Sequence, residues 1–174
     1  MKNNGGFDYV VGNPPYVKLQ NMDNNQVVIV TNMTFKPDPG VYSYLKSNRC
    51  IIFREYFENI QEIYQLADCY IFPTLNPSNC IELPLSILEA MACKTPVVTT
   101  DLRELKEIIS PKKDVLMAKP GDPDSLVEQI IRLLKDKKLQ KKLTENAYKK
   151  VHKYDVRKVT KKFVKLYKEV LHGS

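Results

Sequence analysis

PLSILEAMACKTPVVTT, at residues 84–100, predicts a short helix, a tight connection and a buried strand in immediate succession. Pro84 suits the first helical position, because a residue there needs no N–H donor. The β-branched run within residues 95–100 is typical of a strand. Three apolar residues of the helix repeat at helical spacing, namely Leu85, Leu88 and Ala92.

A single carboxylate, Glu89, lies about one turn into this helix. A helix N-terminus attracts anions, because its first N–H groups have no partner inside the helix. A carboxylate just beyond that terminus can accept hydrogen bonds from ribose hydroxyls. Together these groups would hold a nucleoside diphosphate. The alternative is an ordinary strand–helix–strand crossover with Glu89 on its solvent face.

Strands and helices alternate along the rest of the chain, which predicts an α/β domain with a parallel, Rossmann-like sheet covered by helices on both faces. Ligands bind outside the carboxyl ends of such strands, so residues 73–84 should line the crevice. The expected strands span residues 26–31, 50–53, 68–72, 95–100 and 114–118. The expected helices span residues 41–47, 59–66, 103–109 and 122–135, followed by two or three segments that reach residue 171 with a break near residues 154–155.

Residues 84–100 resemble the donor-site segment of the family 4 glycosyltransferases, which are retaining enzymes of the GT-B fold. That family's pattern is roughly a glutamate, a glycine-containing turn and then LPLLEAMACGTPVV. The likeness continues before it, in IIFREYFENIQEIYQLADCYIFPT, and after it, in LKEII and DVLMAKPGDPDSLVEQIIRLL. The resemblance covers about residues 26–171. It implies that residues 23–174 form the C-terminal, donor-binding half of a two-domain enzyme, with a terminal helix at residues 155–171.

The resemblance implies roles for individual residues. Glu89 falls on the family's second glutamate, which binds the ribose of the donor. Leu83, Leu85 and Ser86 fall on the turn whose backbone amides hold the diphosphate, although Pro84 removes one donor from that set.

Arg54 follows the expected strand at residues 50–53 and lies where the family's nucleotide-binding loop begins. Its guanidinium could pair with a phosphate or stack on a base. A surface ion pair with Glu55 or Glu58 is an equally good interpretation of Arg54.

Several positions depart from the family pattern. The family's first glutamate, close to the reacting sugar, corresponds to Ile81, and Glu82 comes one residue late. We favour a shifted loop in which Glu82 takes the catalytic role, with loss of that role as the alternative. Lys94 replaces a family glycine, which matters little if its φ is negative. The early strand with its phosphate-binding Gly-Arg and Lys, and the acceptor-binding N-terminal domain, are not visible, so we expect little or no transfer by this chain alone.

The first 22 residues point to a different chemistry. FDYVVGNPPYV, at residues 7–17, resembles motif IV of the adenine-specific DNA methyltransferases. There Asn13 and Pro14 would accept hydrogen bonds from an adenine amino group, and Tyr16 would stack on the flipped base. The chain has no GxG turn for S-adenosylmethionine, so we expect a fused or foreign segment, with a strand that ends in a Pro-Pro turn as the structural alternative.

The C-terminal part of the chain is strongly basic. From Arg132 onward there are 15 Lys or Arg against 4 Asp or Glu, whereas the preceding residues carry 12 basic and 16 acidic side chains. Apolar residues recur every three to four positions within this part, which favours amphipathic helices with a solvated lysine face. The alternatives are attraction to an anionic membrane surface and, less favoured, binding of nucleic acid.

The remaining composition narrows the class of protein. Cys50, Cys69, Cys80 and Cys93 have no CxxC spacing, and with only two histidines we expect reduced thiols, no metal site and no cofactor besides the donor substrate. No apolar run approaches the roughly 20 residues that span a bilayer, and the first residues lack the apolar stretch of a secretory signal. We therefore expect a cytoplasmic protein, either free or peripheral at the membrane.

The sequence therefore predicts the donor-binding domain of a retaining glycosyltransferase, whose partners are a nucleotide sugar, the absent acceptor domain and a membrane surface or lipid-linked acceptor. A non-catalytic Rossmann-like interaction domain is the alternative, and a methyltransferase fragment is a third interpretation.

Overall fold

The protein is described here by a computed structural model that covers residues 9–12, 27–30, 39–47, 50–53, 57–74 and 84–172. These ranges contain six strands and six helices. The strands are β1 (Tyr9–Gly12), β2 (Val27–Val30), β3 (Cys50–Phe53), β4 (Cys69–Phe72), β5 (Val97–Thr100) and β6 (Leu116–Ala118). The helices are α1 (Pro39–Ser47), α2 (Ile60–Leu66), α3 (Leu85–Ala92), α4 (Pro123–Lys135), α5 (Lys137–Val151) and α6 (Val156–His172).

The six strands form one parallel sheet in the order β3-β2-β1-β4-β5-β6, as the alternation of strands and helices predicts. β1 lies in its centre, where Tyr9 is in register with Val27 on one side and Cys69 on the other. The strand of the methyltransferase-like motif is therefore part of the same sheet as the glycosyltransferase-like strands. The proposed boundary at residue 22 stays a prediction, because residues 13–26 are outside the described ranges.

Most element bounds differ from the prediction by one or two residues. β5 begins at Val97, because Pro96 has no N–H group for the sheet ladder. The helix predicted over residues 103–109 is a short 3-10 turn, Glu104–Glu107. The predicted break after the α5 region is confirmed: a second 3-10 turn, His152–Tyr154, separates α5 from α6.

Two hydrophobic cores, one on each face of the sheet, confirm that helices cover both faces. Along β4, Tyr70 and Phe72 pack into the first core with α2 and α3, whereas Cys69 and Ile71 pack into the second with α4. This alternation follows from the two-residue period of a strand. All four β4 residues are buried, so the strand is enclosed on both faces.

Helix α5 contacts both cores, with Leu143 in the second core and Ala147 and Val151 in the first. Its position is fixed by an ion pair between Lys150 Nζ and Asp114 Oδ2 at 2.6 Å. Asp114 is 3% exposed, and the same oxygen accepts the Ser110 N–H at 2.8 Å. The ion pair therefore ties α5 to the loop that precedes β6.

Helix α3 ends in a Schellman motif. The Thr95 N–H donates to the Ala90 carbonyl at 2.9 Å, and the Lys94 N–H donates to the Met91 carbonyl at 3.2 Å. Lys94 occupies the position after the C-cap with φ +60°. The condition under which the glycine-to-lysine change would matter little, a negative φ, is not met, because glycine is the residue that adopts this conformation without strain.

Lys112, with φ +59°, shares the strained conformation of Lys94. We expect replacement by glycine to stabilise the protein at both positions, but to different extents. The Lys94 ammonium also lies 4.6 Å from the centre of the Tyr148 ring. Lys112→Gly should raise the free energy of unfolding by about 1 kcal/mol. Lys94→Gly should raise the free energy of unfolding by only about 0.5 kcal/mol, because this substitution also removes the cation–π contact with Tyr148. Urea denaturation measures both; no gain in Lys112→Gly would contradict the strain argument.

Asp114→Asn should lower the free energy of unfolding by about 3 kcal/mol, because it leaves the half-buried Lys150 ammonium without its counter-charge. The matched control is Asp101→Asn, since Asp101 pairs with Lys106 at the same 2.6 Å distance but both side chains are 46% exposed. That control should lose less than about 1 kcal/mol. The free energy of unfolding is measured by thermal and urea denaturation. Equal losses of stability in the two variants would show that burial does not increase the contribution of the Asp114–Lys150 ion pair.

Candidate functional site

The strand order places the candidate site between β1 and β4. Connections leave in opposite directions from these two neighbouring strands, and such a reversal opens a crevice at their carboxyl ends. The two sequence motifs lie beside these strands. In the motif at residues 7–17, Asn13 comes directly after β1. The motif at residues 84–100 is joined to β4 by residues 73–84. The predicted position of the crevice at the carboxyl ends is thus consistent with the topology.

Hydrogen bonds from threonine hydroxyls fix the two strand ends beside the crevice. The Thr99 hydroxyl donates to the Phe72 carbonyl at 2.8 Å. The Thr100 hydroxyl donates to the Thr74 carbonyl at 2.7 Å and accepts the Thr74 N–H at 3.2 Å. Because all these residues are buried, the segment that leads to α3 leaves the sheet from a rigid position.

Helix α3 runs from β4 back to β5, so its N-terminus lies at the carboxyl edge of the sheet. Pro84 is the N-cap, with φ −71° and ψ 99°, and not the first helical residue as predicted. The Ile87 N–H donates to the Pro84 carbonyl at 3.1 Å. The amides of Leu85 and Ser86 are therefore the first-turn donors that no described carbonyl of the helix accepts.

The exposed face of α3 differs from the sequence interpretation. Of the three apolar residues at helical spacing, only Leu88 is buried; Leu85 is 62% exposed and Ala92 is also exposed. The core contacts come instead from Ile87, Leu88, Ala90 and Met91. Leu85 and Glu89 lie one turn apart on the exposed face. Since Glu89 is exposed, the helix presents its carboxylate to solvent about 6 Å along the axis from its own N-terminus.

Tyr64 holds the Glu89 carboxylate in place. Its hydroxyl donates to Glu89 Oε2 at 3.2 Å. Tyr64 itself is 4% exposed, its ring packs edge-on against Tyr70 at 5.3 Å, and its carbonyl accepts the Thr95 hydroxyl at 2.6 Å. Within the described residues Oε1 of Glu89 accepts no hydrogen bond. One carboxylate oxygen is thus anchored to the core, and the other is available to a ligand.

The Tyr64 hydroxyl is a donor throughout the physiological pH range. Burial raises the pKa of Tyr64 far above its usual value, and the neighbouring Tyr70 and the Glu89 carboxylate raise it further. The phenol therefore stays protonated and donates to Glu89 without a pH-dependent change.

Other predicted site residues cannot be placed. Glu82, Leu83, Arg54, Asn13, Pro14 and Tyr16 lie outside the described residues, and their roles stay predictions. The structure brings together Leu85, Ser86 and Glu89 on one short helix and adds Tyr64, which sequence reasoning missed. Helical spacing indicates that Tyr64 lies on the same face as Ile60, because it follows that residue by one turn of α2. Leu66 at the end of α2 is 49% exposed, and the buried face of α2 is formed by Ile63 and Tyr64.

A cavity of about 480 Å³ lies at the opposite, amino-terminal edge of the sheet, between α5 and the residues that precede β4 and β5. Its lining includes Asp68, which precedes β4, and Lys94 and Pro96, which follow the C-terminal end of α3, so it is not the predicted crevice at the N-terminal end of that helix. Among the residues described, no three metal-ligating side chains form a cluster. Cys69 and Cys93 are free thiols, and burial raises the pKa of the Cys50 thiol to about 11.

Comparison with known proteins places this arrangement in context. Residues 1–136 match the model of the family described as glycosyl transferases group 1. The N,N'-diacetylbacillosaminyl-diphospho-undecaprenol alpha-1,3-N-acetylgalactosaminyltransferase of Campylobacter jejuni is 34% identical over 113 residues, which are 65% of this chain and 29% of that protein. The chain thus spans less than a third of the length of this curated relative.

Solved structures share the fold. The C-terminal domain of a glycosyl transferase group 1 family protein from Francisella tularensis superposes with a TM-score of 0.66 at 19% identity, over 86% of this chain and 87% of that one. HepE from Anabaena, solved in complex with UDP-glucose, gives a TM-score of 0.74 at 14% identity, over 94% of this chain and 49% of that chain.

Tyr64→Phe and Glu89→Ala should be energetically coupled, because each removes one partner of the same hydrogen bond. We expect a coupling energy of about 1 kcal/mol in the free energy of unfolding, measured by a double-mutant cycle in urea. Tyr167→Phe on the exposed face of α6 is the control and should show no coupling to Glu89→Ala. A coupling at Tyr64 within about 0.3 kcal/mol of zero would mean that this tyrosine does not hold the carboxylate.

Proposed function

We propose, since this chain belongs to the glycosyl transferases group 1 family, that it binds a nucleotide-sugar donor and transfers the sugar with retention when joined to an acceptor domain. The observation that carries the proposal is the Glu89 carboxylate. It lies one turn beyond the N-terminus of α3, at the carboxyl edge of the sheet, and it is held there by a buried, protonated tyrosine.

The geometry of α3 suits a nucleoside diphosphate. The first-turn amides of Leu85 and Ser86, together with the positive end of the helix dipole, would bind the diphosphate. Oε1 of Glu89 would accept a hydrogen bond from a ribose hydroxyl. Glu89 follows these amides by about 6 Å along the helix axis, so both groups lie on the same part of the helix.

Further groups would complete the site from the loops around the crevice. Leu83 would add a backbone amide to the diphosphate site, and Arg54 would pair with a phosphate or stack on the base. Glu82 would act close to the reacting sugar. Catalysis would then be electrostatic and positional, because binding energy at the diphosphate orients the sugar and stabilises the departing phosphate. The donor is a substrate, and we propose no metal or other cofactor.

The acceptor is proposed from a relative. The name of the Campylobacter jejuni protein specifies a diphospho-undecaprenol acceptor, so a lipid-linked acceptor is the class that we propose for the protein to which this chain contributes. The acceptor-binding residues would come from a further domain, and we expect the 174-residue chain alone to bind the donor but to transfer little or no sugar. The buried Cys69, a free thiol, supports a proposed cytoplasmic location.

Isothermal titration calorimetry with UDP, GDP, ADP and UDP-glucose tests the proposal. We expect at least one of these ligands to bind, and Glu89→Ala to weaken that binding about tenfold through loss of one charge-assisted hydrogen bond. The control is Glu128→Ala, an exposed helical glutamate on α4 that should leave the affinity unchanged.

Two results would contradict this function. Absence of binding by all four ligands would favour a non-catalytic interaction domain. Binding that is equally strong in Glu89→Ala and the unsubstituted protein would place the nucleotide elsewhere.

A further inference from the structure

The cavity at the amino-terminal edge of the sheet has walls that polar contacts hold in place. Gln140 Nε2 on α5 donates to the Asp68 carbonyl at 3.3 Å, which joins α5 to the residue before β4. Near the end of α5, the ion pair between Lys150 and Asp114 fixes the helix to the loop before β6. The volume of about 480 Å³ is within the range of roughly 300–1,000 Å³ that is usual for small-molecule sites.

Cations predominate around this cavity, which we call the lysine cavity. Four lysines line it against two acids, a balance of +2; they are Lys94, Lys137, Lys141 and Lys149, with Asp68 and Glu145. All four lysines are exposed and therefore lie at its rim. Lys141 lies 4.0 Å from Glu145, but both side chains are exposed, so this ion pair contributes little. The excess of positive charge favours an anionic ligand.

The less accessible part of the lining is partly apolar. Ala67 and Pro96 are buried, and Tyr148 is half-buried. The Tyr148 ring packs edge-on against His152, with 4.6 Å between the ring centres. An apolar floor beneath a rim of ammonium groups suits an anion that carries an organic group, because the two parts of such a ligand require different surroundings.

The backbone of Lys94 is a separate indication. Its φ of +60° is strained for a lysine, and its ammonium lies 4.6 Å from the centre of the Tyr148 ring. Glycine would adopt this backbone without strain but would bring no cation to the cavity. Strained backbone conformations of this kind concentrate at ligand sites, where the side chain has a use.

The position of the lysine cavity keeps it apart from the proposed acceptor domain. That domain has to face the carboxyl edge of the sheet, where Glu89 lies, because the sugar passes directly from donor to acceptor. The described lining residues come from α5 and from the segments before β4 and β5, at the opposite edge. The accessibility of the cavity in a two-domain enzyme therefore rests on the proposed function.

We propose that the lysine cavity is a second ligand site, which binds a phosphorylated small molecule. The phosphate would accept charge-assisted hydrogen bonds from the rim lysines, and the organic part would lie against Pro96 and Tyr148. This site is distinct from the crevice that would hold the donor, because Lys94 follows the C-terminal end of α3 and Leu85 begins that helix. A concave site of this volume favours a small molecule over an extended polyanion.

Titration of the chain with phenyl phosphate and inorganic phosphate, followed by ¹H–¹⁵N NMR at constant ionic strength, tests the proposal. We expect both ligands to shift the amide signals of Lys94, Thr144 and Tyr148. Phenyl phosphate should bind about threefold more tightly, because its ring buries apolar surface on the floor of the cavity. The amides of Leu85 and Ser86 report separately on the crevice at the carboxyl edge.

Two matched pairs of variants test the lysines. Lys94→Gly should weaken binding of phenyl phosphate about fivefold, whereas Lys112→Gly should not, although it removes the same charge at the same φ. Both substitutions relieve strain, so unfolding would not explain a loss of binding. Lys137→Gln with Lys141→Gln should weaken binding about tenfold, whereas Lys138→Gln with Lys142→Gln, beside them on α5, should change it much less.

Several outcomes would overturn the proposal. Shifts confined to Leu85 and Ser86, or no shifts with either phosphate, would exclude the lysine cavity as a phosphate site. Equal losses in the two double variants would indicate general attraction to a basic helix. Shifts at Lys94 with a single-stranded oligonucleotide but not with phenyl phosphate would assign the lysines to nucleic acid. Loss of nucleotide binding in Glu89→Ala would leave the Lys94 signals unaffected, so the two proposals fail independently.

Discussion

Burial of β4 on both of its faces is the constraint on which the rest of this structure depends. Its alternate side chains belong to different cores, and its two edges pair with β1 and β5. Tyr70 on β4 supports the ring of Tyr64, and Tyr64 in turn holds Glu89. The carboxylate at the surface is thus connected to the centre of the sheet through two aromatic rings, which explains how an exposed side chain on a short helix can be held in a fixed position.

Much of the fold follows from local sequence patterns, and the exceptions have physical reasons. Runs such as Cys50–Phe53 and Cys69–Phe72 are apolar throughout, which is typical of strands in a parallel sheet. The structure confirms both as strands: Cys69–Phe72 is buried throughout, whereas in the edge strand Cys50–Phe53 only Cys50 is fully buried. The face of α3 was not predictable from spacing, because Leu85 and Ala92 fit a helical stripe as well as the residues that are buried. The positive φ of Lys94 was also hidden, since a lysine gives no local sign that it closes a Schellman motif.

The candidate site, like the fold, was predictable from the sequence only in part. Glu89 could be identified from its position behind a helix start and from the family pattern, and the topology brings its helix to the carboxyl edge. Its partner Tyr64 is 25 residues away, and only tertiary packing brings the two together. Sequence comparison identifies a candidate site residue such as Glu89, but it does not identify the residue that orients it, which here is Tyr64. The basic C-terminal region is a similar case: composition suggested a solvated lysine face, and only exposure distinguishes α6 from the equally basic α5.

The central position of β1 has a consequence for how the chain folds. β1 is made first, but its partner β4 follows some sixty residues later, so β1 can complete only one of its two ladders with the chain that has emerged by then. Until β4 is available, one edge of β1 would have unpaired N–H and C=O groups. Such an edge is a template for pairing with other chains. The strand order therefore leaves the chain open to pairing with other chains during the interval between β1 and β4.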